Sequence, residues 1–435
     1  MNIKAPECVA LLISAPASGH GKTLITAALA KHFRQKGLRT RVFKVGPDFL
    51  DPMILQHVTQ TPVYNIDLWM VGESQCQHLL HEAAKQSDLI LIECNMGLYD
   101  GTPCCADLAH AFSIPIQLVI DAKGMAQSFG AIVKGLATYQ DNIKLNGVIA
   151  NNVGSASHGQ LLQDSLQDSI KFCGYLPRSK EMSIPSRHLG LLQAAEIDDL
   201  EDRIEIAAQY VAKQLNIVLP KAIAFPSAEQ AIKIPQKRPL QGVSIGVARD
   251  NAFSFIYPAN IDLLTELGAQ IRYFSPLNDH QLPDVHGLWL PGGYPECYGE
   301  DLSKNRAMAH AIREHFHNNL PILAECGGML YLCDTLTDSK NNIYEMLGVL
   351  PAHVIMHQHC IGIGLQTAVL PEGQIRGHTF HHSQLNTSLN PIEHARKQHT
   401  QADGEAIYRI KRLTASYMHF YFPSNPLVLT KLFSP

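Results

Sequence analysis

The stretch LLISAPASGHGKTLITAALAKHF, residues 11–33, holds a strand, a glycine-containing turn and a helix in that order. CVALLIS (8–14) is a short apolar run of buried-strand type, and TLITAALAKHFRQKG (23–37) spaces its apolar residues helically and stops at Gly37. Such a turn aims backbone N–H groups and the positive end of a helix at an anion. Ser18, Gly19, His20, Gly21, Lys22 and Thr23 are therefore the candidate ATP loop. Gly19 and Gly21 permit close backbone approach, Lys22 reaches a phosphate and Thr23 can bind Mg²⁺. The common pattern G-x-x-x-x-G-K-[ST] asks for glycine at position 16, where this chain has Pro16.

Outward from the loop, strand-like runs alternate with helical ones to about residue 215: VALLIS, TRVFKV, DLILIE, IQLVID, LNGVIAN and IKFCGYLP. That rhythm predicts parallel βα units with strands buried on both faces and ligands at their carboxyl ends. A proline-rich stretch of weak periodicity, 216–242, is the candidate linker. A second α/β series occupies 243–435 and runs from VSIGVARD to ASYMHFYF. The predicted architecture is two α/β domains, 1–215 and 243–435.

At 435 residues, with 46% hydrophobic and 17% charged residues, the chain has ample material for two cores. A net charge of -4 gives no electrostatic drive toward nucleic acid or an anionic membrane, so small-molecule substrates are expected. The first residues read as a buried strand rather than a signal peptide, and no run is long enough to span a bilayer. Ten scattered cysteines form no C-x-x-C pair, which predicts a cytoplasmic protein with reduced thiols.

LPILAECGGMLYLCDTL (320–336) places Cys326 between an apolar strand and an apolar helix, the order of a nucleophile elbow. The N–H of Gly327 would face an oxyanion, and LPGGYPE offers a second donor at Gly293. His419, in ASYMHFYF, is the candidate base for the thiol. Glu93 ends the run DLILIE at the carboxyl edge, where a second Mg²⁺ ligand belongs. Asp48 and Asp51 follow TRVFKV and could hold Mg²⁺ or stabilise a phosphorylated acceptor, although Asp beside proline is also ordinary turn chemistry. His357 and His359, with Cys360 or His381, could be drawn as a metal site, but no second ligand pair is fixed by spacing.

Together these motifs resemble the glutamine-hydrolysing cobyrinic acid a,c-diamide synthases. The likeness rests on SGHGKT, FKVGPDFLDP (43–52), MGLYDG (96–101), RHLGLL (187–192), ARDNAFSFIY (248–257), PGGYPE (291–296) and AECGG (324–328). It implies a P-loop, dethiobiotin-synthetase-like parallel-sheet domain followed by a class I-like glutamine amidotransferase domain. It also implies a loop one residue longer before Gly-Lys-Thr, so that Ala15 rather than Pro16 is the comparable position. Asn151 resembles the residue that reads the adenine edge. On this resemblance Thr23, Asp48 and Glu93 are the expected metal ligands, and Asp51 serves the acceptor or its phosphorylated intermediate.

The implied activity is ATP- and glutamine-dependent amidation of the a and c acetates of cobyrinic acid, in cobalamin biosynthesis. The tetrapyrrole polycarboxylate is the acceptor, and self-association is left open. Alternatives are the same chemistry on nickel-sirohydrochlorin, or a nucleotide-dependent regulatory protein with a decayed glutaminase. Three departures stand out: Asn95 where a small glycine is expected, Thr379 where the pattern G-H-E-F-H has glutamate, and Tyr421 where many class I glutaminases place the triad acid.

Overall fold

The computed structural model describes residues 5–187, 190–228, 232 and 238–434. The chain forms two compact units, Met1–Ala231 and Ile232–Pro435. Residues 188–189 of RHLGLL, and 229–231 and 233–237 of the candidate linker, lie outside the described residues.

The first unit is built on strands β1 (Glu7–Ser14), β2 (Thr40–Val45), β3 (Tyr64–Ile66), β4 (Leu89–Glu93), β5 (Ile116–Asp121), β6 (Leu145–Val153) and β7 (Phe172–Pro177). They lie in the order β3-β2-β4-β1-β5-β6-β7, all neighbours parallel. The expected strands are present, and β3 is an additional one that its short length left unmarked in the sequence. β1 lies at the centre, and Ala10, Leu11, Leu12 and Ile13 are all fully buried, as an unbroken apolar run in a doubly covered sheet requires.

Helix α1 (Lys22–Gln35) buries Leu24, Ile25, Ala28 and Leu29 and packs against helix α2 (Leu50–Thr59) and the helix Leu200–Gln214. Part of the expected linker belongs to this unit: Ile223–Ala224 pairs antiparallel with Glu7 and Cys8, and Phe225 is buried.

In the second unit five strands run parallel in the order Gln270–Phe274, Ser244–Ala248, Gly287–Leu290, Ile322–Glu325 and Leu413–Ser416. The sheet continues antiparallel through Asp403–Ile410, Glu393–Lys397, Gly362–Leu370 and Gly373–His381 to His419–Phe420. The run ASYMHFYF is thus not one strand. The chain breaks between Ser416 and His419, where Ser416 Oγ accepts the Met418 N–H at 3.2 Å. His419 then sits on its own short strand, opposite His378. Among the described residues no helix is long and apolar enough to cross a membrane.

His315, on the helix Arg306–His317, is buried beside Pro321 O, and burial pushes its pKa down to about 4. The unfolded ring titrates near 6.5, so the native state gains stability above that pH and loses it as pH falls toward 4, by up to about 3 kcal/mol. The urea midpoint should therefore drop between pH 7 and pH 5, and His315→Phe should flatten that drop; an unchanged slope would contradict the assignment.

Candidate functional site

At the carboxyl end of β1 the loop turns through Gly19 (φ 84°) and Gly21 (φ 85°), left-handed conformations that favour glycine, and Gly21 caps α1. The backbone at positions 15 and 16 packs against a neighbouring loop. Ala15 O accepts the Leu98 N–H at 2.8 Å, and a Cβ on Gly97 would stand 2.3 Å from Pro16 O. The chain at 15–16 is clasped by the MGLYDG segment, ahead of the candidate anion cradle. Asn151 clamps the cradle itself: its Nδ2 donates to His20 O at 3.0 Å and lies where a Cβ on Gly21 would fall. His20 Nδ1 accepts the Asp121 N–H at 2.8 Å.

Lys22 is buried, with Nζ 3.1 Å from Ala17 O, and burial together with the nearby Lys44 lowers its pKa. The Thr23 hydroxyl lies 2.8 Å from Glu93 Oε1 and 3.1 Å from Asp51 Oδ1. Between these carboxylates stands Lys44, fully buried, with Nζ 2.5 Å from Asp51, 3.0 Å from Glu93 and 3.3 Å from Asp48. Burial pushes Glu93 up to about 7 against the pull of Lys44, and Glu93 Oε2 is buried with no hydrogen bond among the described residues.

Sequence reasoning missed Lys44, although a lone lysine inside the apolar run TRVFKV was a usable signal. The structure also places Asp51, rather than Asp48, against Thr23. The oxygens of Thr23, Asp51 and Glu93 form a hard donor set that fits Mg²⁺. Among the described residues no group of three or more His, Cys, Asp or Glu is arranged to hold a metal unaided, at this cluster or around His357 and His359. A magnesium here would complete its shell with phosphate oxygens and water. Asn95 fills the space beside Gly46, whose Cβ would come within 2.4 Å of Asn95 Nδ2.

In the second unit Cys326 sits at φ 42°, ψ −110°, a conformation rare for any residue with a side chain, at the start of the helix Gly327–Leu332. Its N–H donates to Ser416 O at 2.8 Å. The turn is packed backbone to backbone. A Cβ on Gly328 would stand 2.0 Å from Leu290 O, one on Gly327 2.9 Å from Gly293 N, and one on Gly292 2.1 Å from His419 Cε1. Glu325 Oε1 accepts the Phe420 N–H at 3.1 Å, tying the residue before the cysteine to the residue after the histidine.

The structure therefore brings Gly293, Cys326, Gly327 and His419 to one place. Asp250 of ARDNAFSFIY supports it by accepting N–H bonds from Ala252 (2.9 Å), Phe253 (3.2 Å) and Leu277 (2.9 Å), and Ala252 O presses on Gly293. Burial raises the Cys326 thiol and lowers His419 well below the usual histidine range, so each group by itself is held neutral. His378, which the sequence reading did not single out, stacks on His419 with centroids 4.9 Å apart, its Nδ1 2.9 Å from the Tyr257 hydroxyl. Tyr421, at the position of the usual triad acid, is fully buried and packs edge-on against Tyr257. Burial pushes Glu325 up to about 8.

These geometries agree with comparisons to known proteins. Residues 11–192 match the CobQ/CobB/MinD/ParA nucleotide binding domain, and residues 244–427 the CobB/CobQ-like glutamine amidotransferase domain. A hydrogenobyrinate a,c-diamide synthase of Stutzerimonas stutzeri is 53% identical, covering 99% of both chains. Its namesake in Pseudomonas aeruginosa is 50% identical over 99% of this chain and 98% of that one. A cobyrinate a,c-diamide synthase of Herminiimonas arsenicoxydans is 43% identical over 98% and 96%. With a nucleotide loop in one unit, a strained cysteine turn in the other and identity of this extent from end to end, the chain belongs to the family of hydrogenobyrinate and cobyrinate a,c-diamide synthases.

Proposed function

We propose that the protein uses ATP and glutamine to amidate the a and c acetate carboxylates of a cobyrinate-type corrin in the cytoplasm. The observation that carries this reading is the pair of sites in one chain: a P-loop with a buried lysine among carboxylates, and a cysteine in a strained turn beside two glycines and a histidine. Relatives at 53% and 50% identity are named for hydrogenobyrinate and one at 43% for cobyrinate, which favours the metal-free ring as acceptor.

At the glutaminase site Cys326 attacks the carboxamide carbon while its proton passes to His419. Because burial holds both groups neutral, charge arises only through that transfer, as a thiolate–imidazolium pair. The N–H groups of Gly293 and Gly327 receive the developing oxyanion. His419 returns the proton to the leaving nitrogen, ammonia departs, and water hydrolyses the thioester.

At the other site residues 18–23 hold the ATP phosphates, Lys22 and Lys44 face their charge, and Asn151 braces the loop through His20 O, the adenine-reading role being the one its family resemblance implies. Mg²⁺, held by Thr23, Asp51 and Glu93, with Asp48 at the margin, would neutralise phosphate charge. The acceptor carboxylate takes the γ-phosphoryl group, since a bare carboxylate has no leaving group, and ammonia then displaces phosphate.

Cys326→Ser should abolish glutamine-driven amidation and retain the reaction with ammonium salts. Gly292→Ala should behave alike, because its methyl meets the His419 ring at 2.1 Å. Equal loss with both nitrogen sources would refute the two-site reading.

Lys44→Ala, Lys22→Ala and Glu93→Ala should each slow amidation with either nitrogen source by on the order of a hundredfold or more, while Cys326 still hydrolyses glutamine. Near-normal ammonia-driven turnover would place the nucleotide elsewhere.

Product mass after incubation with ATP, Mg²⁺, glutamine and each candidate acceptor tests the substrate. Two successive single amidations of hydrogenobyrinate or cobyrinate are expected. Preference for nickel-sirohydrochlorin, or no tetrapyrrole amidated at all, would overturn the assignment.

A further inference from the structure

The space that a glutamate at position 379 would enter already holds a carboxylate from another strand. Thr379 is fully buried, and its Oγ1 donates to Glu405 Oε1 at 3.2 Å. Glu405 lies on Asp403–Ile410 and its side chain is 16% exposed. His381 Nε2 meets the same oxygen at 3.1 Å, and its Nδ1 meets Ser383 O at 2.8 Å. Held at both ring nitrogens, the imidazole is fixed between the Glu405 carboxylate and the Ser383 carbonyl. A Cβ on Gly362 would stand 2.3 Å from His381 Nε2 and 2.6 Å from Glu405 Oε1, so the pair occupies room that a side chain there would take.

The pair connects to the nucleophile. His381 lies flat on Tyr417, ring centroids 3.6 Å apart and planes 5° apart. The Tyr417 hydroxyl accepts from Ser383 Oγ at 3.0 Å, which fixes the tyrosine from its far end. Tyr417 directly follows Ser416, whose carbonyl accepts the Cys326 N–H at 2.8 Å.

We propose that Glu405 is a positioning residue of the glutaminase site. With Thr379 it supplies, from Asp403–Ile410, the carboxylate that the family pattern supplies from position 379. It holds His381 against Tyr417 and so fixes the Ser416 carbonyl that anchors the nucleophile's turn. A glutamate at 379 would bring a second carboxylate to within contact of Glu405, where two negative charges repel, so positions 379 and 405 are alternative sources of one carboxylate. The proposal rests on the glutaminase reading of Cys326.

The test compares the full-length wild type with Glu405→Gln, Glu405→Thr, Thr379→Glu and the double exchange Thr379→Glu/Glu405→Thr. Glutamine hydrolysis and ammonia-driven amidation are measured on the same preparations. Each single change should lower kcat for glutamine by about tenfold or more, with KM within about threefold, and leave ammonia-driven amidation intact. The exchange should recover kcat to within about threefold of wild type, the coupling expected of residues that serve one position. The proposal is overturned if Glu405→Thr leaves kcat unchanged, if the exchange is no better than the worse single variant, or if both nitrogen sources fail together. A wild type that hydrolyses no glutamine refutes the glutaminase reading and the proposal with it.

Discussion

At the carboxyl ends of both parallel sheets the backbone passes so close to itself that no Cβ fits between. Gly97 lies against Pro16 O, Gly328 against Leu290 O and Gly293 against Ala252 O, each with room for a hydrogen but not a methyl. This constraint follows from the sheet: strands buried on both faces leave only their ends for ligands, and a turn that presents N–H groups there must stack directly on its neighbours. The rest of each site is arranged on that packing. In the first unit it clasps the loop ahead of Lys22, and in the second it presses Gly292 against His419 and sets Gly293 beside Gly327.

Much of this was legible in the sequence because close backbone packing demands glycine, and glycine is visible in the letters. The strand, turn and helix at 11–33, the pair Gly292–Gly293 and the run AECGG all announce themselves in that way. The strands of the first unit were legible because a doubly buried strand is an unbroken apolar run. What stayed hidden depended on partners remote in sequence. Lys44 reads as one charge in a strand until the fold sets three carboxylates around it, and His378 reads as one histidine among many until it stacks on His419. ASYMHFYF looks like one strand because the break at Tyr417–Met418 is made by Ser416 Oγ and by Glu325, whose contact with Phe420 spans 95 residues.

The assignment of Asp48 and Asp51 illustrates the same limit. Both follow β2 in one short turn, and nothing in GPDFLDP ranks them. Only the start of α2 decides: Asp51 falls in its first turn, where the positive end of the helix favours a carboxylate, and from there it reaches both Thr23 and Lys44. Asp48, still in the loop, reaches Lys44 with its carboxylate at 3.3 Å, at the margin of the cluster.

The two sites use burial in opposite ways. Around Cys326 and His419, burial suppresses charge, raising the thiol and lowering the imidazole, so that each is held in its neutral form. Around Lys44, burial is offset by opposite charge: a fully enclosed ammonium persists because Asp51 and Glu93 stand within hydrogen-bond reach, and removing either partner from such a pair commonly costs about 3–5 kcal/mol. The second arrangement suits a site that must receive several negative charges at once. Three carboxylates and two lysines already form a compact, partly neutralised cluster. The neutral pair suits the opposite task, a substrate with an uncharged carboxamide, where charge is wanted only along the reaction path.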